Sequence, residues 1–212
     1  METTVVNPVY EKVITDLMDK QYSIIENFFT ADEVLALRES LMVKYEEDLF
    51  KKSAIGNMAN EVVIEAIRGD FIFWLDENKG NAAERLFFSK IRDFIDYLNR
   101  TCFLGIADQE FHYAVYPEGT YYKRHLDTFQ NDKCRKLSIV CYLNHEDWLP
   151  EFGGELTLYH IINGKETSLN IYPLQCRMVI FESNTLEHEV KPVKQERLSI
   201  TGWLKSRPEI II

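Results

Sequence analysis

The chain has 212 residues, is 46% hydrophobic and 27% charged, and carries a net charge of −10. This is the profile of a soluble globular protein with one core, which we read as a single domain over residues 1–212. An acidic chain repels a phosphate backbone, so no nucleic-acid partner is expected. No apolar run approaches the ~18 residues of a membrane span, so no membrane partner is expected either.

The N-terminal Met-Glu-Thr-Thr-Val-Val-Asn-Pro lacks the basic and apolar stretches of a secretory signal. Cys102, Cys134, Cys141 and Cys176 form no CxxC or zinc-finger spacing, as in reduced thiols of a cytoplasmic protein. Basic residues cluster only around Lys123, Arg124, Lys133, Arg135 and Lys136.

Pro8 sits at the start of a short helix predicted over Val9–Lys20, and Tyr22–Asn27 reads as a strand. Thr30-Ala-Asp-Glu33 is a capping-box pattern opening a helix to about Phe50, with Val34, Leu37, Leu41 and Tyr45 as its apolar stripe. Lys51–Asn60 is polar and reads as a loop, followed by strands at Glu61–Ile67 and Phe71–Leu75. Asn81 with Glu84 opens a second long helix to about Arg100, with Phe87, Ile91, Phe94, Ile95 and Leu98 facing inward.

From Glu110 onward the runs become short, β-branched and aromatic. Strands are predicted at Glu110–Tyr116, Tyr121–Leu126, Lys136–Leu143, Glu155–Ile161, Glu166–Ile171, Arg177–Glu182, Glu187–Val190 and Arg197–Leu204. Asn163-Gly164 marks a hairpin. Helices followed by many short strands indicate an α+β, mainly β fold: a two-sheet β-sandwich or jelly roll over residues 110–205, with residues 1–100 as helical support and additional strands.

His125-Leu126-Asp127 is the first pattern with chemical content. Residues two apart in a strand share a face, so both side chains can reach one ion if the backbone stays extended. Two imidazoles and one carboxylate are the open ligand set of non-haem Fe(II) oxygenases, and His188 would supply the third ligand. The bland alternatives are a solvated loop histidine at His125 and a polar strand residue at His188.

In the run Arg197-Leu-Ser-Ile-Thr-Gly-Trp203, the residues Arg197, Ser199, Thr201 and Trp203 share a face. An inward arginine is costly unless paired, and a carboxylate ligand would pair it through two parallel hydrogen bonds. Tyr142 could offer its hydroxyl to the same carboxylate; core packing is the other reading. His112 is expected to be structural or exposed, His145 to lie in a loop, and His160 near the hairpin.

Tyr116-Pro-Glu-Gly-Thr-Tyr-Tyr122-Lys-Arg-His125-Leu-Asp127, Val140-Cys-Tyr142-Leu-Asn144, Gly153-Gly154-Glu-Leu156, His188-Glu-Val190 and Arg197-Leu-Ser199-Ile-Thr201-Gly-Trp203 resemble the iron- and 2-oxoglutarate-dependent prolyl hydroxylases. The resemblance is to the branch that holds the hypoxia-inducible-factor prolyl hydroxylases and their bacterial relatives. Ile67-Arg68-Gly69-Asp70 and Trp74-Leu75 extend it.

It implies a double-stranded β-helix, with His125, Asp127 and His188 as iron ligands. Arg197 would bind the distal carboxylate of 2-oxoglutarate with Tyr142 donating to it, and Tyr116, Thr201 and Trp203 would line that pocket. Tyr122 would be pocket wall, Arg135 would lie near the substrate groove, and Lys51–Arg68 would hold a loop that closes over substrate. The cofactors implied are Fe(II), 2-oxoglutarate and O2, with ascorbate as a candidate reductant. The implied reaction is 4-hydroxylation of a proline in a protein or peptide, and a bacterial source would point to elongation factor Tu. The alternatives are an oxygenase of the same kind acting on a non-prolyl or small-molecule substrate, a non-catalytic jelly-roll binding module, and a structural zinc site.

Overall fold

The computed structural model describes residues 6–53, 67–128, 134–162 and 164–207. Three helices precede most of the strands: α1 (Pro8–Lys20), α2 (Ala31–Glu46) and α3 (Ala82–Cys102). Each starts where the sequence supplies a cap. Asn7 accepts hydrogen bonds from the backbone N–H groups of Val9 and Tyr10, with Pro8 in the first turn. Thr30 with Glu33, and Asn81 with Glu84, close reciprocal capping boxes on α2 and α3.

The α2 helix stops at Glu46 rather than near Phe50. Asp48 takes a left-handed conformation (φ 58°), which turns the chain. Phe50 then packs edge-on against Tyr45, 5.2 Å between centroids.

The strands are β1 (Tyr22–Glu26), β2 (Lys51–Lys52), β3 (Phe71–Trp74), β4 (Ile106–Tyr116), β5 (Tyr122–His125), β6 (Arg135–Tyr142), β7 (Leu156–Ile162), β8 (Lys165–Ile171), β9 (Arg177–Glu182), β10 (Glu187–Val190) and β11 (Arg197–Ser206). Lys51–Lys52, expected in a loop, instead forms the edge strand beside β3. The strand expected at Glu61–Ile67 falls almost entirely outside the described residues. Gly164 at φ 74° lies in the β7–β8 hairpin.

The strands form two antiparallel sheets, in the orders β1-β9-β6-β11-β4-β3-β2 and β5-β10-β7-β8. This is a jelly roll with supporting helices. Alternation along the central strands divides the chemistry. Ile139 and Cys141 of β6, and Leu198, Ile200 and Leu204 of β11, pack with Leu37, Phe87 and Phe94 of the helices. The intervening residues face the smaller sheet, where Val140, Tyr142, Val179 and Phe181 meet Leu156 and Leu158. The helices therefore seal one face of the large sheet, and the other forms the wall of a cavity.

Gly202 on β11 has no room for a side chain. A Cβ there would lie 2.2 Å from the Glu110 carbonyl oxygen and from a Phe111 ring carbon. Replacing Gly202 by Ala should destabilise the fold by about 1–3 kcal/mol, the usual cost of overpacking. Urea unfolding would show a lower midpoint at unchanged slope; an unchanged midpoint would contradict the close approach.

Candidate metal and co-substrate site

His125 and His188 are direct cross-strand partners on β5 and β10. Asp127 lies just beyond the end of β5. The strand expected over Tyr121–Leu126 runs from Tyr122 to His125, and the backbone bends at Asp127 rather than staying extended. The bend has identifiable causes. Ser138 donates its hydroxyl proton to Asp127 Oδ2 at 2.6 Å, and Arg135 donates to the Asp127 carbonyl at 3.0 Å.

Asp127 Oδ1 then lies 3.5 Å from His125 Nε2, and Oδ2 lies 3.5 Å from His188 Nε2. The three ligand atoms fall within 4.8 Å of one another. Both histidines have their other nitrogen engaged: Nδ1 of His125 is 2.7 Å from the Lys123 carbonyl, and Nδ1 of His188 is 3.2 Å from the Leu186 carbonyl. A carbonyl can only accept, so the ring proton sits on Nδ1 and the Nε2 lone pair is left for a metal.

Asp127 is 7% exposed. Burial alone would raise its pKa, but the adjacent His188, His125 beside it and the Ser138 hydroxyl hold it far below the usual carboxylate range. Burial pushes His188 down to about 4, against the pull of Asp127. An ionised carboxylate beside two neutral imidazoles is the donor set that Fe(II) takes with positions left open. The residues fit the metal.

Tyr122 stacks on the His125 ring at 3.7 Å, and the Arg68 guanidinium lies over Tyr122 at 4.3 Å. Arg68 pairs with Asp70 through two hydrogen bonds of 2.8 and 2.6 Å, and Ser53 adds a third to Asp70 at 2.9 Å. Burial pushes Tyr122 up to about 12. Asp70 is fully enclosed, yet the Arg68 charge holds its carboxyl low.

Arg197 is among the largest fully buried side chains, at 1% exposure. No carboxylate pairs with it among the described residues. Its Nη1 reaches only Ser199 Oγ at 3.3 Å, and its Nε has no partner. The guanidinium carbon lies 4.9 Å from the Tyr116 ring centroid and 5.0 Å from that of Tyr142. The Tyr142 hydroxyl is buried without a hydrogen bond, and burial pushes its pKa up against the Arg197 charge. Gly154, at φ 69°, passes so close that a Cβ would lie 3.1 Å from Arg197 Cδ.

His125, Asp127, His188, Tyr122, Tyr116 and Arg197 line one cavity of about 600 Å³ together with Thr201 and Trp203. His188, at 5% exposure, and Arg197 are both shielded from solvent. Arg135 also lines the cavity; it stacks 3.6 Å over Trp203 and pairs with Glu110 at 2.7 Å.

His112, expected to be structural or exposed, is buried in the cavity wall. Ser138 lies in the apolar run of β6 without a motif of its own. Both were accessible by strand parity: Ser138 shares a face with Tyr142, and His112 with Tyr116. His145 lies in a loop, 2.9 Å from Arg38, and His160 stacks on Tyr22; neither reaches the cavity.

Two predictions follow from this geometry. Ser138→Ala removes the hydrogen bond that orients Asp127 and should weaken Fe(II) binding roughly 10-fold, at the lower end for such outer contacts; anaerobic metal titration would measure it. Asp70→Asn should cost about 3–5 kcal/mol at neutral pH by removing the buried charge that pairs with Arg68. Because the folded-state pKa of Asp70 is depressed, its contribution is present above the ordinary carboxylate range and lost as pH falls. The stability gap between variant and wild type should therefore shrink below about pH 4 in urea titrations at stepped pH; a constant gap would contradict the assignment.

Residues 111–205 match the family model for the 2OG-Fe(II) oxygenase superfamily. The chain is 34% identical to a crystallised prolyl-4-hydroxylase of Pseudomonas putida, covering 94% of this chain and 100% of that one at a TM-score of 0.81. It is 28% identical, at a TM-score of 0.82, to a prolyl hydroxylase from Trichoplax adhaerens solved with a hypoxia inducible factor peptide, covering 93% of this chain and 89% of that one. It is also 30% identical over 211 residues to a hypoxia-inducible factor prolyl hydroxylase of Caenorhabditis elegans. That match covers 95% of this chain but only 29% of the nematode protein's length. The chain belongs to the Fe(II)- and 2-oxoglutarate-dependent prolyl hydroxylases, within the 2OG-Fe(II) oxygenase superfamily.

Proposed function

We propose that this protein hydroxylates C4 of a prolyl residue in a protein or peptide, consuming 2-oxoglutarate and O2 and releasing succinate and CO2. The observation that carries the reading is the pairing of two incomplete sites in one cavity. One is the His125–Asp127–His188 donor set. The other is the buried Arg197, with an idle Nε beside an idle Tyr142 hydroxyl. A dicarboxylate bound at Arg197 would answer both orphaned groups.

Held by those three ligands, Fe(II) would supply oxygen activation coupled to oxidative decarboxylation of the co-substrate. The chain's own part is orientation and exclusion of water. Arg197 takes the distal carboxylate in a fixed fork, and Tyr142 donates its hydroxyl proton to the same group. Tyr116 stands beside the guanidinium and walls the carboxylate end. The carbonyls of Lys123 and Leu186 keep both imidazoles in the ligating tautomer, and Ser138 holds the Asp127 carboxylate in place. Tyr122, braced by Arg68, covers one side of His125.

Trp74, at 42% exposure, and Leu126 give the cavity mouth an apolar surface suited to a pyrrolidine ring. The relative solved with a bound peptide supports a protein or peptide as substrate class. If the source is bacterial, elongation factor Tu is the first protein to test. A cytoplasmic location is in keeping with four free thiols. We read the whole chain as one catalytic unit, because the core beneath the large sheet is built from all three helices. No helix among the described residues is long and apolar enough to cross a membrane.

Incubating iron-loaded protein with 2-oxoglutarate and a cell extract should add one oxygen atom to proline in specific peptides, read by mass spectrometry. A His188→Ala control should add none. Equal modification in both would exclude the metal assignment, and modification confined to other residue types would exclude the prolyl substrate.

A further inference from the structure

His112 lies in the body of β4, as the direct neighbour of Thr201 on β11 and of Trp74 on β3. Its ring is 3% exposed and lines the cavity. It is held between two indoles, with centroids 4.9 Å away at Trp74 and 5.6 Å away at Trp203. Nδ1 is buried without a hydrogen-bond partner. Burying an imidazole with an idle nitrogen costs free energy that an aliphatic side chain of similar volume would not. The roles assigned above to the metal ligands and to Arg197 make no use of this ring.

Its position shows what it faces. Alternate residues of β11 climb the cavity wall about 7 Å apart, in the order Arg197, Ser199, Thr201, Trp203. The Arg197 guanidinium reaches Tyr142, the partner of Ser199. Asp127 is anchored to Ser138, the partner of Trp203. The row containing His112 and Thr201 lies between these two levels. A ligand running from the guanidinium to the metal ligands must cross it. On the other side of Thr201 the row continues into apolar Val140 and Val179. That side suits methylene groups, and the His112 side suits an oxygen.

Resting on the co-substrate reading above, we propose that His112 is a positioning residue for 2-oxoglutarate: the neutral imidazole donates a hydrogen bond from Nε2 to an oxygen of the keto-acid end and fixes its rotation about the anchored distal carboxylate. With Nδ1 sealed off and unpaired, the nitrogen left to carry the proton toward the cavity is Nε2. The ring stays neutral because burial, reinforced by the Arg68 guanidinium, pushes its pKa down to about 3. It therefore acts as a hydrogen-bond donor without bringing a further cation beside the metal.

The test is calorimetric titration of 2-oxoglutarate into anaerobic, Fe(II)-loaded protein carrying His112→Leu or His112→Gln. Leucine keeps the apolar bulk, and glutamine returns an N–H near the Nε2 position. Affinity for 2-oxoglutarate should fall roughly tenfold in the leucine variant, the loss expected for one hydrogen bond to a charged acceptor. It should recover to within about threefold of wild type in the glutamine variant. Fe(II) affinity should be unchanged in both. Wild-type affinity in the leucine variant, or a glutamine variant no better than leucine, overturns the proposal. Wild-type protein that takes up Fe(II) but no 2-oxoglutarate overturns the co-substrate reading itself, a result distinguishable from failure of His112 alone.

Discussion

A guanidinium sealed inside a β-sandwich, with no carboxylate partner among the described residues, is the constraint around which this molecule is arranged. Desolvating a charge is expensive, and an unpaired buried charge survives only where the rest of the fold offsets its cost. Arg197 is held by two tyrosine faces, a serine hydroxyl and the close passage of Gly154. These contacts fix where the guanidinium points but do not neutralise it. On the proposed reading, the unsatisfied charge is available to an anion that enters the cavity.

The metal site shows the complementary economy. Its carboxylate is buried too, but it accepts the Ser138 hydroxyl proton and lies between two imidazoles. Backbone carbonyls set both histidine tautomers. The ligands are thereby ordered before any metal arrives, which lowers the cost of assembling them. Outside this ring, Asp70, Arg68 and Tyr122 form a relay of ion pair, cation–π contact and stacking that ends on His125. A residue remote in sequence from the histidine consequently supports its orientation.

Both sites depend on the two-residue alternation of the large sheet. The same strand that sends Leu198 and Ile200 toward the helices sends Arg197, Thr201 and Trp203 into the cavity. A one-residue slip of β11 would exchange the two sets, burying the arginine against Phe87 and Phe94. Helix packing and ligand binding thus specify the same register from opposite faces.

Much of this was legible in the amino-acid order because it is local. Capping boxes at Thr30 and Asn81, the alternation of β11 and the HxD spacing are short-range patterns with direct physical meaning. They determined the helix starts, which residues share the cavity-facing side of a strand, and the kind of ligand the site could hold. Other features arise only when distant segments meet. The end of β5 at His125 is produced by Ser138 and Arg135 drawing in Asp127. The end of α2 follows from Phe50 docking on Tyr45 and Lys51–Lys52 pairing with β3. The burial of His112 between Trp74 and Trp203 requires three strands to lie side by side. Sequence specifies residue types and periodicity, which are properties of neighbours along the chain. Only the tertiary structure decides desolvation and counter-charge, because both depend on what the rest of the chain brings within a few ångströms.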